Sequence, residues 1–149
     1  MEQRMSMITL GVSDLKRATE FYEQVVGWQP EAGQEGIAFF DLGGVVFSLY
    51  PHEALAKDAG EPFDGKLPGM YKGFALAYNA RSRGEVDEVF ASLKSKGAKI
   101  VKEPEEVFWG GYSGYFEDPD GYRWEVAHNP FWEIASDGRV VLHPEEGAE

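Results

Sequence analysis

The chain has 149 residues and a formal net charge of −12; 43% of the residues are hydrophobic, 14% are aromatic and none is cysteine. This length suits one compact domain or two fused half-domains, and no stretch approaches the roughly 18 uninterrupted apolar residues of a membrane span. The negative charge argues against nucleic acid, which proteins bind through Lys and Arg side chains that neutralise phosphates. Without cysteine, disulfides and thiolate metal sites are excluded. Since the N-terminus also lacks a signal-peptide pattern, we expect a cytoplasmic protein with no membrane partner.

The periodicities of the apolar residues predict seven strands and two helices. The strands are expected at residues 7–12, 37–41, 45–50, 73–78, 99–102, 112–117 and 122–127. The first helix begins at Ser13 or Asp14, whose side-chain oxygens can cap it, and ends at Gly27. The second helix begins at a capping box made by Ser82 and Glu85. The buried faces are expected to contain Leu15, Ala18, Phe21, Tyr22, Val25 and Val26 in the first helix and Val86, Val89, Phe90 and Leu93 in the second.

The order of these elements repeats, which predicts two copies of one βαβββ unit. Each copy contains a hairpin, closed in the first by Leu-Gly-Gly at 42–44 and in the second by Asp-Pro-Asp-Gly at 118–121, a sequence typical of a type I turn. Counting from the two turns makes Ser48 equivalent to Glu125, and counting along the first strands makes Met7 equivalent to Phe74. We therefore predict an α+β fold in which two curved mixed sheets surround a cleft.

The predicted organisation is one domain over residues 1–130, followed by a C-terminal tail at 131–149. Its two modules cover about residues 5–50 and 72–128. The segment between them, 51–71, is rich in Gly, Pro, Asp and Lys and is expected to be a connector.

Three stretches of sequence have a combination and spacing that point to a known family. They are Leu-Gly-Val-Ser-Asp-Leu at 10–15, Phe21-Tyr22 with Val26-Gly27-Trp28, and Phe-Glu-Asp-Pro-Asp-Gly-Tyr-Arg-Trp-Glu-Val at 116–126. Over about residues 5–130 the chain resembles the vicinal oxygen chelate superfamily, which includes glyoxalase I, bleomycin-resistance proteins, fosfomycin-resistance enzymes and extradiol dioxygenases. The resemblance implies the glyoxalase/bleomycin resistance fold.

The resemblance also implies four strand positions that hold a divalent metal in many members. These positions correspond here to Met7, Ser48, Phe74 and Glu125, of which Glu125 alone carries a usual ligand. A thioether, a neutral hydroxyl and a phenyl ring are poor or impossible ligands for hard divalent ions. We therefore expect no metal and no cofactor, as in the bleomycin-resistance branch, whose members sequester a compound.

Strand alternation groups the residues that are expected to line the cleft. With two aromatic residues of the Trp-Gly-Gly-Tyr segment at 109–112, the predicted ligand-binding residues are Met7, Thr9, Ser48, Tyr50, Phe74, Leu76, Tyr78, Trp109, Tyr112 and Glu125. Glu125 is the candidate catalytic residue. Its carboxylate either forms hydrogen bonds with neighbouring hydroxyls and has no further role, or it acts as a ligand anchor or a general base. The Trp-Gly-Gly-Tyr segment is either an ordinary loop with a packed Trp or a lid that approaches the ligand closely.

The three histidines are expected to contribute little to the site. His128 lies on the opposite strand face from Glu125, so we expect it to make hydrogen bonds where the strand ends. His52 is a candidate for the rim of the pocket, and His143 lies in the polar tail.

The leading hypothesis is a metal-independent protein that binds a small aromatic or cationic organic molecule. The alternatives are a lyase, isomerase or dioxygenase that uses a metal through unconventional ligands, and a metal-free enzyme that uses Glu125 as its base. We also expect a homodimer, because Phe131 and Trp132 offer apolar surface to a partner subunit.

Overall fold

The computed structural model describes residues 1, 3, 5–33, 35–60, 63–66 and 74–142. The chain divides into two compact units: Met1–Lys72 with Pro119–Gly121, and Gly73–Asp118 with Tyr122–Glu149. Part of the predicted connector, Gly73 of the predicted fourth strand, and the end of the tail with His143 lie outside the described residues. Within the described ranges, no helix has the length and apolar character needed to cross a membrane.

The first unit contains a three-stranded sheet with helical segments. Its strands are β1 (Met7–Val12), β2 (Ala38–Asp41) and β3 (Val46–Pro51). β3 lies in the centre, parallel to β1 and antiparallel to β2. Helix α1 (Leu15–Glu20) continues as a π-helical segment (Phe21–Val26), and α2 (His52–Asp58) follows β3 directly.

One face of this sheet packs against the first helical segment and forms a core. Leu10, Val12, Phe40, Phe47 and Leu49 are all buried on it. The ring of Tyr22, fully buried, lies 4.8 Å from that of Phe47 and 6.0 Å from that of Phe40 between centroids. The helical segment of the same unit thus covers this face, which we call the closed face. The opposite face, which we call the open face, is more exposed.

The capping and glycine signals in the sequence predicted the position of the first helix correctly, but they did not predict its geometry. Asp14 is the N-cap, with a side-chain oxygen 3.0 Å from the Arg17 N–H, and Gly27 ends the helix at a φ of 92°. The N–H groups of both Gly27 and Trp28 donate to the Tyr22 carbonyl, so the last turns are wider than in an α-helix. The 3.6-residue spacing of apolar positions carries no signal for this widening.

The first unit differs from the predicted pattern in two further respects. Helix α2 lies inside the predicted connector; it follows Pro51, has Glu53 in its first turn and Lys57 in its last, a charge order that favours a helix. The order βαβββ is not reached either, because the described part of the unit has three strands. Where a fourth would lie, the Glu31 N–H donates to the Phe39 carbonyl over 2.8 Å.

The second unit contains the longer sheet and helix. Helix α3 (Arg83–Ser95) packs on a sheet of four strands in the order β4-β7-β6-β5: β4 (Leu76–Asn79), β5 (Lys99–Glu106), β6 (Tyr112–Glu117) and β7 (Arg123–His128). β4 and β7 are parallel and the other pairs antiparallel. A short hairpin, β8 (Glu133–Ile134) with β9 (Val140–Val141), lies in the segment that we expected to be a tail.

The faces of this sheet can be identified from Gly114. A Cβ at Gly114 would come within 2.6 Å of the Phe90 ring of α3, so the glycine lets helix and sheet approach each other closely. Val126, which pairs with Gly114, and Phe116 and Trp124 beside it are buried on the same helix-covered face. The predicted turn is confirmed: the Tyr122 N–H donates to Asp118 Oδ1 over 2.9 Å.

The start of α3 combines the predicted cap with an additional contact. Ser82 Oγ accepts from the Glu85 N–H at 3.1 Å, as expected. The Glu85 carboxylate, however, accepts from the Arg81 N–H at 2.7 Å and from the Tyr78 hydroxyl at 2.5 Å. The hydrogen bond from Tyr78 is the main reason that the pKa of Glu85 is lowered.

The two neighbouring residues Phe39 and Phe40 offer a test of the closed face. Phe40 is 1% exposed in the core, whereas Phe39 lies on the open face. We expect Phe40→Ala to lower the free energy of unfolding by about 3–5 kcal/mol and Phe39→Ala to lower it clearly less, as measured by urea denaturation. Equal losses would contradict this assignment of the faces.

The acid stability of the protein should depend on Glu85. Because its pKa is lower in the folded than in the unfolded state, the ionised carboxylate stabilises the fold above the unfolded pKa, and this stabilisation is lost as pH falls through the folded pKa. Between neutral pH and about pH 3, the wild type should lose more free energy of unfolding than Glu85→Gln. Glu88→Gln, an exposed change on the same helix, should behave like the wild type; a Glu85→Gln curve parallel to that of the wild type would refute the role.

Candidate functional site

The open face of the first unit contains four of the predicted ligand-binding residues. Met7 and Thr9 lie on β1, and Ser48 and Tyr50 lie on β3, with Thr9 directly opposite Ser48 in the parallel register. Phe39 of β2 pairs with Ser48 from the other side. Sequence reasoning missed Phe39, although counting back across the Gly-Gly turn places it on this face.

Two hydroxyl groups at the centre of this face are bonded to each other. Ser48 is fully buried, and its Oγ lies 2.6 Å from Thr9 Oγ1 and 3.4 Å from the Ile8 carbonyl oxygen. Met7 is 45% exposed at one end of the face. At the other end His52 lies against Gly11, where a Cβ would come within 2.5 Å of its Nδ1. The candidate for the rim therefore lies on the predicted face.

An open cavity of about 670 Å³ adjoins Met7. Its apolar wall includes Met7, Phe39 and Val46, and two carboxylates, Glu31 and Asp41, line it as well. Asp41 also accepts a hydrogen bond from the Gly43 N–H at 2.8 Å, which fixes the carboxylate at the hairpin turn. The cavity thus combines an apolar surface with negative charge, although the sequence pattern gave no signal for Glu31.

Glu125 lies in the second unit, on the sheet face away from α3. Its partner across β6 is Tyr115, and its partner on β4 is Ala77. Burial, the negative charge of Glu125 and a hydrogen bond to it together raise the pKa of the Tyr115 phenol. Tyr115 was missed by sequence reasoning. Counting across the Asp-Pro-Asp-Gly turn, which sets Glu117 opposite Arg123, would have found it.

Three predicted residues of this unit lie on the helix-covered face instead. Leu76 and Tyr78 pair with Trp124 and Val126, not with Glu125. Tyr112 lies on the same side as Gly114, and its hydroxyl donates to Asp87 of α3 at 2.8 Å. Strand alternation therefore does not group Leu76, Tyr78 and Tyr112 with Glu125.

The error came from the count that made Phe74 equivalent to Met7. Phe74 lies before β4, is 43% exposed, and has its ring 5.8 Å from that of Tyr122. The helix caps Asp14 and Ser82 are one residue further apart than Met7 and Phe74. Aligning the caps makes Ala75 the counterpart of Met7, in agreement with the strand register.

The glycines at 110–111 make room for aromatic rings of the protein itself. A Cβ at Gly111 would lie 1.9 Å from the Trp109 ring, and one at Gly110 would lie 3.4 Å from the Phe131 ring. Gly111 is therefore explained by the Trp109 ring, which is itself 37% exposed. His128, as expected, makes a hydrogen bond where its strand ends, with Nδ1 3.2 Å from the Ala80 carbonyl oxygen.

A metal would need several donors close together. Among the described residues, no group of three or more His, Asp and Glu side chains has that arrangement. Two of the positions that correspond to metal ligands in the family are occupied by hydrogen-bonded side chains: Ser48 is bonded to Thr9, and Glu125 is bonded to Tyr115. At a third position, neither Phe74 nor Ala75 has a side chain that could bind a metal.

Comparison with known proteins agrees with this fold. A glyoxalase-related enzyme from Fulvimarina pelagi superposes with a TM-score of 0.83 at 34% identity, over 94% of this chain and 98% of that one. An uncharacterized protein, YraH of Bacillus subtilis (strain 168), is 27% identical over 122 residues, 78% of this chain and 91% of that protein. A lactoylglutathione lyase from Agrobacterium tumefaciens, at 22% identity and a TM-score of 0.67, shares the fold over 86% of this chain and 95% of that one.

The expected α+β fold of the glyoxalase/bleomycin resistance type is therefore confirmed, with two sheets that each mix parallel and antiparallel strands. The family model for these proteins matches residues 4–126. The chain belongs to the Glyoxalase/Bleomycin resistance protein/Dioxygenase superfamily.

Proposed function

We propose that this protein binds a small organic molecule, aromatic or cationic, without using a metal. The observation that carries the proposal is the set of side chains at the family's four ligand positions. A thioether, a buried serine hydroxyl, an alanine or phenylalanine and one glutamate do not fit a divalent transition metal, which needs three or four imidazole or carboxylate donors. No step of a reaction is therefore assigned to a metal.

The bonding of these side chains supports the same conclusion. The Ser48 hydroxyl is fully buried and bonded to Thr9, so turning it toward an ion would leave the Thr9 hydroxyl without that bond. Losing a typical hydrogen bond costs about 0.5–1.5 kcal/mol. The position that binds a metal in relatives is used here to stabilise the pairing of β1 with β3.

The carboxylates beside the cavity of the first unit favour a cation over an anion. Glu31 and Asp41 line the cavity of the first unit, and Glu125 lies on the open face of the second. Arg123 shares the face of Glu125 and forms an ion pair with Glu117, which also pairs with Lys99. The net charge of −12 adds a long-range attraction for cations.

The metal content of the purified protein tests the first half of the proposal. Protein prepared without a His-tag and analysed by mass spectrometry should contain well under one equivalent of zinc, nickel, iron or manganese. One equivalent that is lost in Glu125→Ala would overturn the proposal in favour of a metal-dependent enzyme.

A matched pair of ligands tests the second half. Benzamidine is cationic at neutral pH and benzamide is its neutral counterpart, so their affinities, measured by calorimetry, separate charge from shape. We expect benzamidine to bind more tightly, and Glu125→Gln to weaken its binding by about 1–3 kcal/mol while leaving benzamide unaffected.

The control is Glu106→Gln, which removes the same charge from an exposed residue that pairs with Arg83 on the helix side of the sheet and should change neither affinity. The wild type should also be screened by thermal shift against other small aromatics and organic cations. If none binds unless a divalent metal is added, the proposed function is wrong.

A further inference from the structure

The neighbours of Glu125 on its own sheet face include two small side chains. Its neighbours on the same sheet face are Tyr115 across β6, Ala77 across β4, and Arg123 and Ala127 along its own strand. Two of these four are alanines, so within the sheet only Tyr115 and Arg123 are long enough to reach the carboxylate. Glu125 and Tyr115 are both half-buried and thus still accessible from one side.

The other charged groups on this face are engaged with one another. Glu117 pairs with Arg123 and, at 2.5 Å, with Lys99 of β5. Lys102, the register partner of Tyr115, lies 2.7 Å from Glu105. The ion pair with Glu117 draws the Arg123 guanidinium toward β6. Among the described residues of this face, Glu125 is thus a carboxylate whose partner is a neutral group, the Tyr115 phenol.

The hydrogen bond between Tyr115 and Glu125 determines which further hydrogen bonds the two side chains can accept. The Tyr115 hydroxyl donates a hydrogen bond to the Glu125 carboxylate, so the phenol oxygen keeps its lone pairs and the carboxylate keeps a second oxygen. Directly opposed side chains on antiparallel strands have Cβ atoms about 5 Å apart. The pair therefore offers two hydrogen-bond acceptors, one of them negatively charged, and no free donor.

We propose that Tyr115 and Glu125 form one recognition element for a planar cation with several N–H donors, an amidinium or guanidinium group. This inference rests on the proposed function and narrows it to a ligand class and to a residue, Tyr115, outside the predicted site. An amidinium can donate one N–H to the Glu125 carboxylate and a second to the Tyr115 oxygen, and such charge-assisted bonds are stronger than neutral ones. A neutral aromatic ligand would gain little from this element.

The binding experiment compares two tyrosines of the same strand. Tyr115→Phe should weaken benzamidine binding about five- to tenfold and leave benzamide unchanged, while Tyr112→Phe, whose hydroxyl bonds to Asp87 on the helix side, should affect neither. The double variant Tyr115→Phe/Glu125→Gln should lose less than the sum of the two single losses, because the two side chains act on one group.

A spectroscopic measurement separates ligand contact from a purely structural role and needs no variant. In protein labelled with 13C at tyrosine Cζ, saturation with benzamidine should lower the pKa of Tyr115, since a cation beside the phenol favours its ionised form. Benzamide should leave that pKa unchanged. The charged groups facing Tyr115, namely Glu117, Glu125, Arg123, Lys99, Lys102 and Glu105, are the same in both titrations.

The outcomes distinguish this inference from the function on which it rests. Tight benzamidine binding with an unchanged Tyr115 pKa, or with Tyr115→Phe equal to the wild type, overturns the recognition element and leaves the proposed function standing. Binding of neutral aromatics but not of benzamidine does the same. If no organic ligand binds at all, both are wrong.

Discussion

The parallel pairing of β1 with β3 and of β4 with β7 decides which side chains of each unit can meet a ligand. It places Thr9 opposite Ser48 in the first unit and Ala77 opposite Glu125 in the second. Because side chains alternate along a strand, a slip of one residue would exchange the two faces of a sheet. Such a slip would expose the aromatic core on the helix side, including Phe47 and Trp124. Packing against the helices therefore fixes the composition of the open faces.

The open faces of the two units differ in chemistry although their strand order is similar. The first carries a bonded pair of hydroxyls, Thr9 with Ser48, beside an apolar cavity with two carboxylates. The second carries charged and phenolic groups, with Glu125 bonded to Tyr115. Two further tyrosine–carboxylate pairs, Tyr78 with Glu85 and Tyr112 with Asp87, lie on its helix side and tie the sheet to α3. Position on the sheet, not residue type, separates the pair on the face away from α3 from the pairs that tie the sheet to the helix.

The features that the sequence predicted well are those set by neighbours in the chain. The caps Asp14 and Ser82, the glycine turn at 43–44 and the turn at 118–121 all occur where short-range signals placed them. The strand at Met7–Val12 matches its prediction residue for residue. A cap or a turn is a contact between residues two to four positions apart, so its signal is contained in a short stretch of sequence. The same holds for the alternation that groups Met7 with Thr9 and separates His128 from Glu125.

Only the tertiary structure decided which side chains lie on the sheet face of the second unit that carries Glu125. Counting along the chain assigned Leu76 and Tyr78 to that face and overlooked Tyr115. The register of β4 and β6 against β7 instead places Tyr115 on the face of Glu125, and Leu76 and Tyr78 on the opposite face. β4 and β7 are separated by α3 and two further strands, so no local signal links their positions. Their register is set where Val86, Phe90 and Leu93 of α3 pack on the sheet. The sequence by itself thus determined the main strands, the helix caps and the turns, while long-range packing selected the side chains that share a face with Glu125.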